Sequence, residues 1–176
     1  MELYVERGFD ETTVAEIAKR AGLTERTFFR HFADKREVLF AGEELVPDRV
    51  ARLMAEAPPS LGPMELITEG LAPTAAEIFE GRGLDYLLRR RAAIDAEPAL
   101  HERELRKFSL MSQALEQGFR DRGVDDLTAQ LAAEIAVTTL RIAVTRWLNQ
   151  HGDPDLPATI NQTLAAMRHL TNTPSP

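Results

Sequence analysis

Apolar residues recur at spacings of three and four along nearly the whole chain, whereas alternating runs bounded by turn residues are missing. That period is the period of a helix, so the sequence predicts an all-α fold. Glycines and prolines mark the helix ends, and Pro47 and Pro73 are expected to kink the helices that contain them. The predicted helices cover the residues up to 7, then 13–21, 24–32, 35–54, 63–80, 84–96, 98–122, 126–150 and 156–170.

A helix, a tight turn and a second helix are predicted between residues 13 and 32. Thr13 is placed to cap the first helix, and Glu16 reaches back three residues later as in a capping box. Gly22 supplies the positive φ that ends this helix, and Thr24 is placed to cap the next. The pattern is that of a helix-turn-helix motif.

The second helix of this motif has an apolar face and a basic face. Phe28 and Phe32 lie one turn apart, with Leu23 leading into the same side, and this face is expected to dock on the preceding helix. Arg26 and Arg30 lie on the opposite side, where a DNA major groove would be. The alternative is an ordinary solvated basic face, but the caps, the turn and the phenylalanine pair all agree with the DNA-binding interpretation.

Each residue type on this surface suits a particular DNA contact. Arg26 is assigned to base reading first, because the first turn of a recognition helix sits deepest in the groove and an arginine can contact guanine with two hydrogen bonds. The threonines and Lys35 suit phosphates, and Glu25 either accepts from cytosine or orients an arginine. The predicted DNA-binding residues are Thr13, Thr24, Glu25, Arg26, Thr27, Phe29, Arg30, His31 and Lys35.

The charge distribution agrees with this surface although the net charge does not. A net charge of −7 argues against a nucleic-acid partner. Between Lys19 and Arg36, however, six basic residues stand against two acidic ones, a local balance of +4.

The absence of cysteine excludes disulfides and thiolate metal sites. No apolar stretch approaches the roughly 18 residues that span a bilayer, and residues 1–9 lack the pattern of a secretory signal, so a cytoplasmic protein without a membrane partner is expected.

The motif residues resemble those of the TetR family of regulators. They read Gly-Phe-Asp-Glu-Thr-Thr-Val at 8–14, Ile-Ala-Lys-Arg-Ala-Gly-Leu at 17–23, Arg-Thr-Phe-Phe-Arg-His-Phe at 26–32 and Asp-Lys at 34–35. The resemblance covers about residues 1–40. It implies a homodimer that binds double-stranded operator DNA with its third helix and releases it when a small molecule binds the C-terminal domain.

Two features depart from the family pattern. The first helix of the family usually begins further upstream, often behind a basic arm, so either the true start lies upstream of Met1 or the domain lacks such an arm and is braced less well than its relatives. Phe29 stands where the family often has tyrosine, so a hydroxyl contact to phosphate would be lost.

The C-terminal part resembles, less specifically, mycofactocin-type TetR regulators, in Arg-Arg-Arg at 89–91, the segments 94–100 and 140–143, and Arg-Trp-Leu at 146–148. That resemblance implies an acyl-CoA or similar effector.

The last two helices are predicted to form the dimer interface. Apolar residues occupy nearly all sides of the segment 127–148, which a helix tolerates only when it is covered all round. The last helix carries a single stripe, Leu156, Ile160, Leu164, Met167 and Leu170, that is suited to a partner. The two helices and their twins would form a four-helix bundle, and ordinary packing within the chain is the alternative.

The ligand is expected between the middle helices, where apolar side chains would line a pocket and an arginine would hold an acidic head group. For each residue, a place in the core or in solvent is the alternative. The candidate ligand-binding residues are Ile67, Leu71, Ile78, Phe79, Leu87, Arg91, Phe108, Met111, Leu115 and Arg141. Neither a metal site nor a bound cofactor other than this effector is expected.

These elements define the predicted domains and mechanism. Residues 1–40 form the helix-turn-helix DNA-binding domain, residues 41–172 the helical ligand-binding and dimerisation domain, and residues 173–176 a tail. The fourth helix joins the domains, so a ligand would shift it and change the separation of the two recognition helices, which is about 34–36 Å for tight binding. An enzyme is the rival class, but no phosphate loop, nucleophile elbow or zinc motif is found in the sequence. A ligand-free architectural DNA-binding protein is a third possibility.

Overall fold

The computed structural model describes residues 2–40 and 46–172, and within these ranges it contains helices and no strand. The predicted all-α fold is therefore confirmed. In chain order the elements are α1 (Glu2–Arg7), α2 (Val14–Arg20), α3 (Glu25–His31), a 3-10 helix (Glu37–Phe40), α4 (Val46–Glu56), α5 (Pro63–Phe79), α6 (Leu84–Ala96), α7 (Pro98–Asp121), α8 (Asp126–Asn149) and α9 (Leu156–Asn172).

The predicted fourth helix differs most from the structure. Instead of one helix over 35–54, there is the 3-10 helix and then α4, which begins at Val46; residues 41–45 between them lie outside the described part. Pro47 is the second residue of α4, a position where its missing N–H is not needed, so it marks the helix start rather than a kink. Pro73 lies inside α5, which continues through it.

The chain forms two compact units whose limits differ from the predicted domains. Unit 1 comprises Met1–Val46 together with Asp85–Lys107, and unit 2 comprises Pro47–Leu84 together with Phe108–Pro176. The sequence predicts a single second domain over residues 41–172. The physical reason for the difference is a shared core, because α6 and the first part of α7 bury their apolar residues against the N-terminal helices.

The core of unit 1 joins residues that are far apart in sequence. Tyr4, Leu39, Phe40, Ile94 and Leu100 form one buried cluster, and Ile94 and Leu100 are completely buried. Side chains from α1, the 3-10 helix, α6 and α7 thus share one core. A helix-turn-helix of about 40 residues has little apolar surface of its own to bury, and α6 and α7 supply the remainder.

Arginine side chains tie α6 and α7 to the 3-10 helix. The Arg90 Nε donates to the Leu39 carbonyl at 2.9 Å, and its guanidinium pairs with Glu104 at 3.2 Å, with both side chains buried. Arg103 pairs with Glu37 at 3.1 Å. Both guanidinium groups lie over the Phe40 ring, at 5.0 and 5.4 Å from its centroid. The end of the DNA-binding segment is therefore held by charged groups of α6 and α7.

Unit 2 is built on the packing of α5, α8 and α9. The buried face of α8 consists mostly of alanines, which allow neighbouring helices to approach closely. Arg122, at the end of α7, donates to the carbonyls of Met54 and Ala57 at 2.9 Å each and also to that of Pro58. A Cβ at Gly118 would lie 2.9 Å from the Met54 Cγ, so this glycine permits close packing of α4 on α7.

The apolar stripe of α9 is buried within its own chain, which corrects its predicted place in the dimer interface. Leu156, Ile160 and Leu164 are at most 3% exposed, because α9 packs on α5 and α8. Leu170, the last residue of the stripe, is 78% exposed and lies on the surface. The alternative of packing within the chain is therefore correct for most of this stripe.

One helix in the described part of the chain, α8, is long and apolar enough to cross a membrane by length and composition alone. The sequence expectation that no stretch approaches this limit was therefore too strict. Ala129, Ala133 and Ala143 of α8 are completely buried inside unit 2. That burial is typical of a core helix in a globular unit.

Candidate nucleic-acid interface

The helix-turn-helix forms with the caps that the sequence predicts. Thr13 accepts a hydrogen bond from the Glu16 backbone N–H at 3.3 Å, and the Glu16 carboxylate accepts from the Thr13 N–H at 2.9 Å, which completes the capping box. Gly22 has a φ of +70° in the turn, a conformation that glycine adopts without strain. Thr24 caps α3 by accepting from the Thr27 N–H at 3.2 Å. Three local hydrogen bonds and the turn at Gly22 thus fix where α2 begins and ends and where α3 begins.

Helix α3 presents one face to the protein and the other to solvent. Phe28 is 2% exposed, and its ring lies 5.2 Å from that of Phe32, so these two anchor α3 on α2. Arg26 and Arg30 are exposed on the other side. Leu23 is 45% exposed, which corrects the expectation that it joins the docked face. The outer surface of α3 is therefore cationic, with an apolar residue at its N-terminal edge.

Two cations of the motif have no partner in the described part of the chain, Arg26 on α3 and Lys19 on α2. Arg30 differs, since it approaches the His31 Nε2 at 3.4 Å. Arg7 pairs with Glu16, and Arg36 pairs with Asp34 at 2.7 Å. Arg26 is thus both exposed and free of internal salt bridges. That is the condition a base-reading side chain must meet, because it has no internal contact to break on binding.

Lys35 has a structural role that the sequence did not predict. Its ammonium donates to the carbonyls of Phe9, Asp10 and Thr12 at 2.8, 3.1 and 3.1 Å, and it lies 4.3 Å from the centroid of the Phe9 ring. An ammonium has three N–H donors, so all of them are used here. This geometry does not favour the predicted phosphate contact. It favours a clamp that holds the turn between α1 and α2.

The threonine hydroxyls are also partly committed. Thr13 donates its hydroxyl proton to Glu16 at 2.9 Å, and a hydroxyl has only one proton to give, so its phosphate contact is not favoured either. The Thr24 and Thr27 hydroxyls lie 3.0 Å apart, with one donating to the other. One of these two protons therefore stays available for a phosphate oxygen.

The remaining predicted residues lie on the exposed surface of α3. Glu25 and His31 are exposed, and Phe29 is 53% exposed with its ring edge-on to Phe28 at 5.5 Å. An exposed phenylalanine braced by a buried one can contact a sugar or a thymine methyl without moving. Of the predicted DNA-binding residues, six thus share one exposed helix surface and its cap: Thr24, Glu25, Arg26, Phe29, Arg30 and His31.

A tyrosine and an aspartate fix the segment that follows α3. Burial raises the pKa of the Tyr4 hydroxyl well above its ordinary value, with the nearby Asp34 carboxylate adding to it, and this hydroxyl donates to the Lys35 carbonyl. For Asp34, burial acts to raise the pKa, but hydrogen bonds from Arg36 and the Glu37 N–H outweigh it and lower the pKa. At neutral pH the Tyr4 hydroxyl is therefore neutral and the Asp34 side chain is a carboxylate, and both orient the chain in these forms.

The predicted ligand-binding residues are divided between the units. Leu87 and Arg91 belong to unit 1, where Leu87 is buried and Arg91 pairs with Asp95 at 2.7 Å and with Glu104 at 3.9 Å. Their role in ligand binding therefore stays a prediction. Arg141 is exposed on α8. In unit 2, Ile67 and Met111 are buried, and the partly buried candidates are Leu71, Ile78, Phe79, Phe108 and Leu115.

Lys19 and Trp147 were missed as functional candidates. Lys19 carries an unpaired charge beside α3, and its place in the last turn of α2 was the available signal. Trp147 was assigned to the dimer face, yet its ring packs edge-on against Phe79 inside unit 2 at 5.9 Å. It lies seven and four residues after Leu140 and Ala143, which places it on the buried face of α8.

The N-terminal segment matches a known family. Residues 1–41 match the family model described as "Bacterial regulatory proteins, tetR family". Residues 1–41 form a TetR-family DNA-binding domain. The match ends at the 3-10 helix, so it covers the whole motif and the capping residues described above.

The relatives extend this similarity beyond the TetR-family domain. The chain is 25% identical over 166 residues to the "HTH-type transcriptional regulator TcmR" of Streptomyces glaucescens, an alignment that covers 90% of this chain and 73% of that protein. Among solved structures, it is similar to Thermus thermophilus FadR, a TetR-family transcriptional repressor in complex with lauroyl-CoA, at 26% identity and a TM-score of 0.53, with 100% of this chain and 93% of that chain covered.

A structure described as a putative TetR-family regulator from Mesorhizobium loti has 19% identity and a TM-score of 0.56, with 96% of this chain and 91% of that chain covered. At that identity it shows the fold alone. Together these findings show that residues 1–41 match the TetR family and that the rest of the chain is similar to regulators of that family. None of the three carries a mycofactocin description, so that finer resemblance stays a prediction.

Proposed function

We propose that this TetR-type regulator is a homodimeric, cytoplasmic repressor that leaves its operator DNA when a small, acyl-type molecule binds unit 2. The observation that carries the DNA-binding half is Arg26. It is exposed and unpaired in the described part of the chain, on a helix that Phe28 anchors from behind. A side chain so placed can enter a major groove and contact a base edge at no cost in internal salt bridges.

In the proposed complex, some residues of α2 and α3 contact base edges and others contact phosphates. Arg26 reads a base, and Arg30 joins it from the next turn or contacts the backbone. Lys19, at the end of α2, contacts a phosphate, which positions the protein without specifying sequence. The free hydroxyl of the Thr24–Thr27 pair supplies a second phosphate contact. Specificity therefore depends on arginines, and affinity depends on groups around them.

The dimer would use the outer face of α8. Leu127, Leu131 and Ile142 are 66, 54 and 43% exposed, and spacings of four and eleven place them on one side of the helix. An exposed apolar face of this kind is usual where a partner covers it. A two-fold dimer through α8 would present two copies of α3 to successive turns of the major groove, about 34–36 Å apart.

The ligand half of the proposal rests on unit 2 and on the FadR structure. That repressor was solved with lauroyl-CoA and resembles this chain along its whole length. The partly buried apolar side chains of α5 and α7 in unit 2 are the candidates for contact with an acyl-type ligand, and they include Leu71, Ile78, Phe79 and Leu115.

The ligand signal has three covalent routes to the DNA-binding domain. The chain passes between the units within α4, within α6 and within α7. The route through α4 is the one that the sequence predicts. The charged contacts of Arg90 and Arg103 with the 3-10 helix favour the other two, since a shift of α6 or α7 would act on the residues that follow α3. A ligand acts only through its difference in affinity for the two states.

Selection of bound duplexes from a random pool tests the whole proposal. The purified protein is expected to enrich one sequence with two related half-sites one helical turn apart. Addition of lauroyl-CoA during selection is expected to lower the recovered fraction. Recovery of unrelated sequences in every round would contradict the repressor role, and enrichment unaffected by acyl compounds would contradict the ligand half alone.

A further inference from the structure

Two buried polar atoms of unit 2 have no hydrogen-bond partner within the described residues, the Thr139 Oγ1 and the Trp147 Nε1. Both belong to α8. A buried polar atom almost always has a partner, and leaving one unpaired is unfavourable. Two such atoms on one helix of the predicted ligand-binding unit therefore require an explanation.

The surroundings of these atoms are apolar. Trp147 packs against the edge of Phe79, and Leu84 lies close to Gly152 beside the indole nitrogen. Thr139 is 1% exposed and sits between the buried alanines Ala136 and Ala143 of α8. A hydroxyl and an indole N–H are thus the polar features of a mostly apolar region.

The residues around the indole nitrogen lie nearer to solvent than Thr139 does. Phe79, Leu84, Trp147 and Gly152 are all partly exposed, whereas Thr139 is fully buried. Thr139 precedes Trp147 by eight residues, which is about 12 Å along the helix axis. The two side chains also lie about 80° apart around α8, so an elongated molecule that meets both atoms must enter beside Trp147, follow the helix and turn part of the way around it.

The charge of this ligand follows from the other buried polar groups of unit 2. Within the described residues, the buried polar side chains there are hydroxyls, those of Ser112, Thr139 and Thr159, while the buried Arg90 and Glu104 belong to unit 1. An ionised group placed in such a region would lose its hydration without a counter-charge. The buried part of the ligand must therefore be neutral.

We propose that unit 2 binds a molecule whose buried part is elongated and uncharged and carries two carbonyl-type oxygens, one accepting the Trp147 N–H and the other pairing with the Thr139 hydroxyl. An indole N–H only donates and a hydroxyl both donates and accepts, so an ester, thioester or ketone oxygen satisfies each. This deepens the proposed function and rests on its ligand-controlled unit. It also replaces the acidic head group that the sequence analysis assigned to an arginine.

The ligand-free part of the test uses thermal unfolding of two variants. Thr139→Val removes the unpaired hydroxyl, and Thr159→Val is the matched control, because Thr159 is equally buried but donates to the Asp155 carbonyl at 2.9 Å. Thr139→Val is expected to keep or raise the melting temperature, and Thr159→Val is expected to lower it. Equal losses in both would mean that the Thr139 hydroxyl has an internal partner, and would overturn the proposal.

The binding part uses four probes of equal chain length: dimethyl decanedioate, methyl decanoate, decanoate and decane. Trp147 is the single tryptophan of the chain, so its emission reports binding to the wild type, and calorimetry serves for Trp147→Phe. The diester is expected to bind best and the hydrocarbon worst. Thr139→Val and Trp147→Phe are each expected to weaken the diester about 2–12-fold, the range for one neutral hydrogen bond, and Thr159→Val is expected to leave it unchanged.

Three results would overturn the ligand chemistry. These are failure of the diester to bind the wild type, decanoate binding as tightly as the diester, or equal affinity of the wild type, Thr139→Val and Trp147→Phe. Each of these leaves operator selection by the wild type untouched, so a wrong ligand class is distinguished from a wrong regulator assignment. Loss of operator selection with intact diester binding would mean that the regulator assignment is wrong and the ligand class is right.

Discussion

The Arg90 side chain holds the Leu39 carbonyl through its Nε at 2.9 Å, and so fastens α6 to the last turn of the DNA-binding segment. Glu104 on α7 balances the charge of the same guanidinium. The helix-turn-helix is thus completed by residues some 50 positions further along the chain. Under the proposed mechanism, a shift of α6 or α7 would act on this contact.

Arg90→Met is expected to destabilise the protein by roughly 3–5 kcal/mol, because Glu104 would be left as a buried charge with reduced compensation. The double variant Arg90→Met with Glu104→Leu is the control, and it should regain most of the loss since neither charge remains. Urea unfolding measures both. A single variant as stable as the wild type would mean that the pair is solvated in solution.

Lys35→Met is expected to lower the free energy of unfolding by about 1–3 kcal/mol, because three backbone carbonyls lose their donor. The salt dependence of DNA binding should stay as in the wild type. Lys19→Met is the matched variant, with unchanged stability and a slope of log affinity against log salt that is reduced by about one. If the two variants exchanged these effects, Lys35 would be the phosphate contact after all.

The capping box gives a pH dependence. Hydrogen bonds from the Thr13 backbone and hydroxyl, with Arg7 nearby, lower the pKa of Glu16 from its ordinary 4.5. A carboxylate whose pKa is lowered on folding adds stability above its unfolded pKa and loses it as the pH falls through the folded value. Wild type is therefore expected to exceed Glu16→Gln in melting temperature at pH 7, with a difference that shrinks below pH 4.5. A difference that is constant with pH would exclude the charge as its source.

Leu131→Asp is expected to weaken the dimer, because it places a charge on the exposed apolar face of α8. Leu110→Asp is the control, as Leu110 is 46% exposed on α7. Sedimentation velocity at several concentrations should show monomers for the first variant and dimers for the second. Dimers in both cases would place the interface elsewhere.

The local features of the DNA-binding domain could be predicted from the sequence because they depend on near neighbours. The capping box at Thr13, the turn at Gly22 and the opposed faces of Phe28 and Arg26 each follow from spacings of a few residues. Helix ends marked by glycine and proline were placed within a few residues for the same reason, except where a 3-10 helix replaced the start of the fourth helix.

The features that escaped prediction depend on long-range packing. Nothing near Arg91 in sequence shows that α6 joins the core of unit 1 rather than a ligand pocket, and the α9 stripe looks the same whether its own chain or a partner covers it. Lys35 looked like a phosphate contact because its three carbonyl acceptors lie more than 20 residues earlier. In each case the role of the residue depends on a group distant in sequence that packs against it or bonds to it.

The most direct test of DNA reading by α3 is the affinity of Arg26→Ala for the selected operator and for a random duplex, at one fixed salt concentration. Loss of an arginine that reads a base is expected to weaken operator binding by about 1–3 kcal/mol while random binding changes far less, so the preference between the two duplexes narrows. An equal loss on both duplexes, or no loss on either, would contradict the assignment of Arg26 as the base-reading residue.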